Sequence, residues 1–132
     1  MSSTVEYLDV EDLVELARRL LGDPPPVRDL GLLGAAAARP QASAFGEDAY
    51  PDIWNKAGAL LHSIVSNHPL VDGNKRLGWL AAAVFLEINE ASVSTAADDD
   101  VYDLVMAVAT SALSVKDIAE ALQLMHEQAT DS

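Results

Sequence analysis

The stretch HPLVDGNKRLGW, His68 to Trp79, gathers a histidine, a carboxylate, a glycine, an amide and two cations at His68, Asp72, Gly73, Asn74, Lys75 and Arg76. The apolar run LAAAVFLEIN follows at once, which predicts a helix over about Gly73 to Asn89. The first N–H groups of a helix have no internal partner, and the helix dipole adds positive potential there. Gly73 lets a ligand come close to the backbone, while Asn74, Lys75 and Arg76 place an amide and two cations around the same point. Together these make a phosphate site. Asp72 is useful in that company if it holds a magnesium ion that the phosphates share. His68 stands at the start of the loop, and an ordinary imidazole can take a proton from a hydroxyl near neutral pH. The chemistry this describes is phosphoryl or nucleotidyl transfer. The same residues also admit structural uses: Asp72 as a helix cap, His68-Pro69 as a turn, and Arg76 paired with one of the chain's many carboxylates.

The elements that must position this stretch all read as helices, because no segment sustains a two-residue alternation. Asp9 caps a first helix, Val10 to Leu21, with the apolar stripe Leu13, Leu16, Ala17, Leu20 and Leu21. Gly22 and the run Pro24 to Pro26 end it. Asp29 opens a second helix that stops at Arg39-Pro40, since the residue before proline disfavours helical geometry. RPQASAFGEDAY, Arg39 to Tyr50, has loop composition. A third helix begins with Pro51 in a favourable first position, carries Trp54, Ala57, Leu61, Ile64 and Val65 on one face, and breaks at Asn67-His68-Pro69. The fourth helix is apolar almost all round, which marks it as the one the others pack against. Asp98 to Leu113 and Ser114 to Gln128, the latter capped by Ser114, close the chain. The expectation is an all-α single domain over residues 1–132 around one central helix.

Composition narrows the function. Eight cations stand against 21 carboxylates, for a net charge of −13. Such a surface repels phosphate backbones, which argues against general nucleic-acid binding. There is no cysteine, which removes disulfides, thiolate metal sites and a cysteine nucleophile, and suits a reducing cytoplasm. The N-terminal MSSTVEYLDVED has no signal-peptide pattern, and the apolar stretch Leu77 to Leu86 falls short of the roughly 20 residues that span a bilayer. A cytoplasmic protein without a membrane partner is expected.

His-Pro-Leu-x-Asp-Gly-Asn-Lys-Arg resembles the signature of the Fic/Doc family, roughly His-Pro-Phe-x-Asp/Glu-Gly-Asn-Gly/Lys-Arg, with Leu70 where phenylalanine is usual. The resemblance covers about Arg28 to Asn89, and the segment before the motif looks like that of the Doc branch. It implies an all-α bundle with the motif at the start of its central helix. It also implies His68 as catalytic base, Asp72 as magnesium ligand, and Gly73, Asn74, Lys75 and Arg76 as the anion-binding turn. The loop around Ala42 to Tyr50, with Ala44, Phe45, Gly46 and Glu47, resembles the flap that positions the target protein.

Two departures from the nucleotidyl-transferring branch carry weight. Lys75 replaces a glycine and Trp79 replaces a second arginine, which narrows the anion pocket and removes a bidentate clamp. Both resemble Doc. In that branch ATP sits reversed and its γ-phosphate is transferred, which implies a protein kinase acting on a hydroxyl of a translation elongation factor, with ATP and Mg²⁺. Trp79 also reads as an aromatic packing into the core. AMP transfer, or a catalytically inactive module that binds nucleotide or a partner, are the alternatives. Doc-like toxins are further implied to meet a separate antitoxin, whose helix covers a groove; apolar residues of the first helix could line such a groove, although core packing is the use expected of each. The inhibitory motif Ser/Thr-x-x-x-Glu-Gly/Asn is begun at Ser2–Glu6 and Ser43–Glu47 and completed at neither. His62 and His126 read as structural or surface residues, and the aspartates at 98–100 as partners of a helix dipole.

Overall fold

The computed structural model describes residues 4–130; Ser2, the first residue of one incomplete inhibitory motif, lies outside them. Helix caps set the element boundaries. Asp9 opens α1 (Val10–Leu21) with a capping box: its carboxylate accepts from the Asp12 N–H at 2.8 Å, and the Asp12 carboxylate accepts from the Asp9 N–H at 2.9 Å. Asp29 caps α2 (Leu30–Ala38) by accepting from the Leu32 N–H at 3.0 Å. A 3₁₀ turn, Arg39–Gln41, absorbs the expected stop at Arg39-Pro40.

The loop-like segment then folds as a small antiparallel hairpin, β1 (Ser43–Ala44) and β2 (Glu47–Asp48), with Ser43 opposite Asp48. Phe45 and Gly46 both have positive φ, 55° and 80°, the requirement of the tight turns that match strand twist. The incomplete motif at Ser43–Glu47 therefore lies in a hairpin and not in a helix.

Helix α3 (Ile53–Asn67) starts later than Pro51. Asp52 is the cap, accepting from the Asn55 N–H at 2.8 Å, and a carboxylate cap decides the boundary over the proline. Helix α4 runs Asn74–Ile88 and α5 runs Asp98–Ala109. The latter ends well before Leu113. Ser111 takes a left-handed φ of 62°, and the Ala112 and Ser111 N–H groups close back on the Ala107 and Val108 carbonyls. That is a Schellman ending made without glycine. Ser114 caps α6 (Val115–Thr130), its Oγ accepting from the Asp117 N–H at 3.2 Å.

The fold is all-α, with one contiguous core drawing on each of the helices α1 to α6. The centre differs from the expectation. Helix α3 packs against α2, the 3₁₀ turn, α4, α5 and α6, whereas α4 packs against α1, α3 and α5. The two helices lie close because Gly78 leaves room for Val65, whose Cγ2 would sit 2.7 Å from any Cβ there. The extra apolar face of α4, Trp79 and Leu80, is half-buried and walls a groove. Apolar composition all round thus reflects a core face plus a groove face. Among the described residues no helix is long and apolar enough to cross a membrane.

Candidate active site

The loop between α3 and α4 is fixed from two sides. On one side Asn74, buried at the start of α4, spans Leu70: its Oδ1 accepts the Leu70 N–H at 2.9 Å and its Nδ2 donates to the Leu70 carbonyl at 3.0 Å. On the other side runs the segment after the proline triplet. The Val71 N–H donates to the Pro26 carbonyl at 2.8 Å, and the Arg28 and Asp29 N–H groups donate to the Pro69 carbonyl at 2.8 and 3.0 Å. Leu70 bridges Val27 and is fully buried, so it fills the anchor position that a phenylalanine occupies in the family signature. The Arg28 side chain reaches the same loop. Its Nε donates to the His68 carbonyl at 2.9 Å, and its Nη2 donates to that carbonyl and to the Asn67 carbonyl, the latter at 3.2 Å.

A cleft of about 290 Å³ opens over this loop and is lined by His68, Asp72, Gly73, Asn74, Lys75 and Arg76, with Val65, Val71 and Ala109 as its apolar wall. His68, Asp72, Gly73, Asn74, Lys75 and Arg76, grouped in the sequence, thus meet in one place. Helices α1, α2, α3 and α6 each begin with a side-chain cap, and α5 begins with three aspartates. Helix α4 has neither: its N-cap is Gly73, it has no side-chain cap and its first turn holds no carboxylate. Its first internal bond joins the Leu77 N–H to the Gly73 carbonyl at 2.9 Å, which leaves the N–H groups before Leu77 without a helical acceptor. Lys75 and Arg76 add exposed cations beside them.

Three details bear on the roles weighed for these residues. Asp72 does not cap the helix; its carboxylate is 88% exposed and lies 4.0 Å from an Arg76 nitrogen, the outer limit of an ion pair. Gly73, at φ 87°, is approached by Leu21 of α1, whose Cδ1 would sit 2.6 Å from any Cβ. The glycine therefore serves helix packing and its left-handed φ as well as access. The Asn74 amide is committed to Leu70, so what this residue leaves for an anion is its backbone N–H. Among the described residues no three His, Cys, Asp or Glu side chains converge to hold a metal. A single exposed carboxylate fits magnesium, which keeps several waters and takes further oxygens from phosphates.

Ala44, Phe45, Gly46 and Glu47 do not line this cleft. They form the exposed hairpin, with the Phe45 ring wholly in solvent. Two residues not assigned such a role from the sequence anchor its foot. Lys56 is buried, yet its Nζ donates to the Pro40 carbonyl and pairs with the Asp48 carboxylate, each at 3.3 Å, and lies 5.7 Å from the Tyr7 ring centre. Arg39 donates to the Tyr50 hydroxyl at 2.8 Å, Ser63 Oγ at 2.9 Å and His62 Nδ1 at 3.0 Å. Burial first, and the Arg39 guanidinium second, hold His62 below the ordinary histidine value. His126 has a structural place, with Nδ1 2.7 Å from the Ser92 carbonyl and its ring against Trp54.

A helical bundle that presents this loop at an uncapped helix start defines a class, and sequence comparison agrees with it. The profile described as the Fic/DOC family matches residues 7–86, extending further toward the N-terminus than the motif's surroundings alone indicated, and the chain belongs to that family. It is also similar to a protein named Toxin Doc from Mycolicibacterium smegmatis (strain ATCC 700084 / mc(2)155). The two are 52% identical over 120 residues, 89% of this chain and 91% of that protein.

Proposed function

We propose that this chain is the toxin of a toxin–antitoxin pair and a protein kinase that moves the γ-phosphoryl group of ATP to a hydroxyl side chain of a translation factor. The observation that carries the reading is the uncapped start of α4 facing the cleft that His68 lines. The backbone N–H groups of Asn74, Lys75 and Arg76 donate to phosphate oxygens, and the two side-chain cations offset phosphate charge. Asp72 would hold the magnesium ion, which would supply positive charge to offset that of the transferring group. His68 accepts the proton shed by the target hydroxyl as its oxygen bonds to the γ-phosphorus and the bond to the leaving ADP oxygen breaks. Leu70 and Asn74 keep the loop in register for that transfer.

Among the described residues Arg76 is the one guanidinium lining the cleft, which supports γ- over α-phosphate transfer. Trp79, which stands in the place of a second one, walls the adjacent groove. That groove, about 440 Å³, runs between α4 and α5 and is lined by Leu20, Trp79, Val101, Tyr102, Val105 and Met106, among others. It suits the apolar face of an antitoxin helix, with Lys75 and Arg76 at its edge. Of the α1 stripe only Leu20 reaches it; Leu13 and Ala17 are spent in the core.

Incubation with the target and ATP labelled at the γ- or α-phosphate tests the chemistry. Label on the target from γ alone is expected, and His68→Ala should lower it by at least about 10²-fold. Label from α would mean AMP transfer, and label from neither would mean a binding module.

A further inference from the structure

Among the described residues three helices are followed by a non-glycine residue of positive φ: His68 after α3, Glu90 after α4 and Ser111 after α5, at 52°, 63° and 62°. The last two close on themselves. The Ala91 N–H bonds to the Leu86 carbonyl at 2.9 Å and the Ala112 N–H to the Ala107 carbonyl at 3.0 Å, the outer bond of a Schellman motif. After His68 that bond has no donor, because the next residue is Pro69. The one left-handed ending in the cleft is the one that its local backbone cannot lock. Arg28, forty residues earlier, ties this ending at different carbonyls. One edge of its guanidinium grips the His68 carbonyl through Nε and Nη2 and reaches the Asn67 carbonyl, while its own N–H holds Pro69.

We propose that Arg28 is a positioning residue for His68: it fixes the left-handed backbone that aims the imidazole into the cleft. This rests on the reading of His68 as the base. A planar fork suits the task because two donors on one rigid edge define the direction of a carbonyl, which a single ammonium cannot do. Displacement of a reacting group by about 1 Å can cost on the order of 10²-fold in rate.

The test combines rates with a readout of the backbone. In Arg28→Ala the turnover number should fall about 10²-fold, with the KM for ATP within about twofold, because the phosphate site lies on α4. Arg28→Lys should fall less, and serves if Arg28→Ala does not fold. The ¹³Cα and ¹³Cβ shifts of His68 should leave their left-handed values in both variants while those of Glu90 and Ser111 stay. In a His68→Ala background, Arg28→Ala should cost nothing further, since a residue that acts through the imidazole has nothing left to aim. An equal loss in that background, or a wild-type turnover number in both Arg28 variants while His68→Ala is inactive, overturns the positioning role alone. Full activity in His68→Ala overturns the base assignment, and this inference with it.

Discussion

The loop at 68–73 and the hairpin at 43–48 are both turns built on positive-φ residues, yet they are held in opposite ways. The loop exchanges backbone bonds with the segment Pro26–Asp29 on one flank and with the Asn74 amide on the other. The hairpin bonds across its own two-residue strands, and only its foot is tied, by Lys56 and Arg39. A group that must meet a reacting atom needs its geometry over-determined, whereas a surface that meets a large partner tolerates play. Under the function proposed above, the difference separates chemistry from recognition within one small fold. It predicts that damage to the loop is costly to folding, and that damage to the hairpin is mostly local.

The largest effect belongs to Asn74→Ala. The backbone N–H and carbonyl of Leu70 are buried, and both would lose their partner. An unsatisfied buried group costs about 1–3 kcal/mol, so a loss of roughly 2–5 kcal/mol is expected in urea unfolding. A loss under about 0.5 kcal/mol would show that water replaces the amide, and that the loop is less tightly framed than its bonds imply.

Much of this framework was legible in the sequence, because caps and breakers are local signals. Asp9, Asp29 and Ser114 announce helix starts, and the composition of 39–50 announces a connection. The left-handed endings at Glu90 and Ser111 were not legible, since neither residue is glycine. Asn74 was readable as one of the residues grouped at the cleft but not as a brace for Leu70, because an amide serves either use. Arg28, Arg39 and Lys56 were silent for a different reason. Their partners lie at a distance in the chain or across the hairpin, and nothing local in the sequence pairs a cation with a carbonyl forty residues on.

Lys56→Met sharpens the contrast on the hairpin side. Methionine fills much of the same buried volume but bonds neither the Pro40 carbonyl nor Asp48. Because Asp48 is mostly solvated, the global cost should stay at about 1 kcal/mol. Locally the hairpin should open more often. Amide exchange at Ala49, whose N–H bonds to the Ala42 carbonyl at 2.8 Å, should rise about tenfold, while the Leu70 amide stays protected. Unchanged exchange at Ala49 would mean that the ladder, and not the lysine, holds the foot.

The Arg39 anchor adds a pH dependence. Its guanidinium can only donate, so His62 Nδ1 must be unprotonated to accept. The unfolded chain takes up this proton near the ordinary value of about 6.5, and the folded chain only at lower pH. Between the two the unfolded state binds more protons, so stability falls as pH falls; above about 6.5 the effect vanishes. Going from about pH 7.5 to about pH 5.5, the wild-type urea midpoint should therefore drop more than that of His62→Gln. Equal drops would show that Arg39 does not depend on a neutral imidazole.

The smallest effect on the fold should come from the residue with the most exposed aromatic surface. Phe45 stands at the hairpin tip with its ring in water, so Phe45→Ala removes no packing and should change stability by less than about 0.5 kcal/mol. A solvated ring at a turn is nonetheless apolar area awaiting a partner, and its burial on binding can contribute about 1.5–3 kcal/mol. If the hairpin meets the target protein, Phe45→Ala should raise the KM for that protein about tenfold or more, with the KM for ATP unmoved. A turnover number that falls with both KM values constant would instead place the ring in the chemical step. That result would erase the division between a clamped loop for chemistry and a free hairpin for recognition.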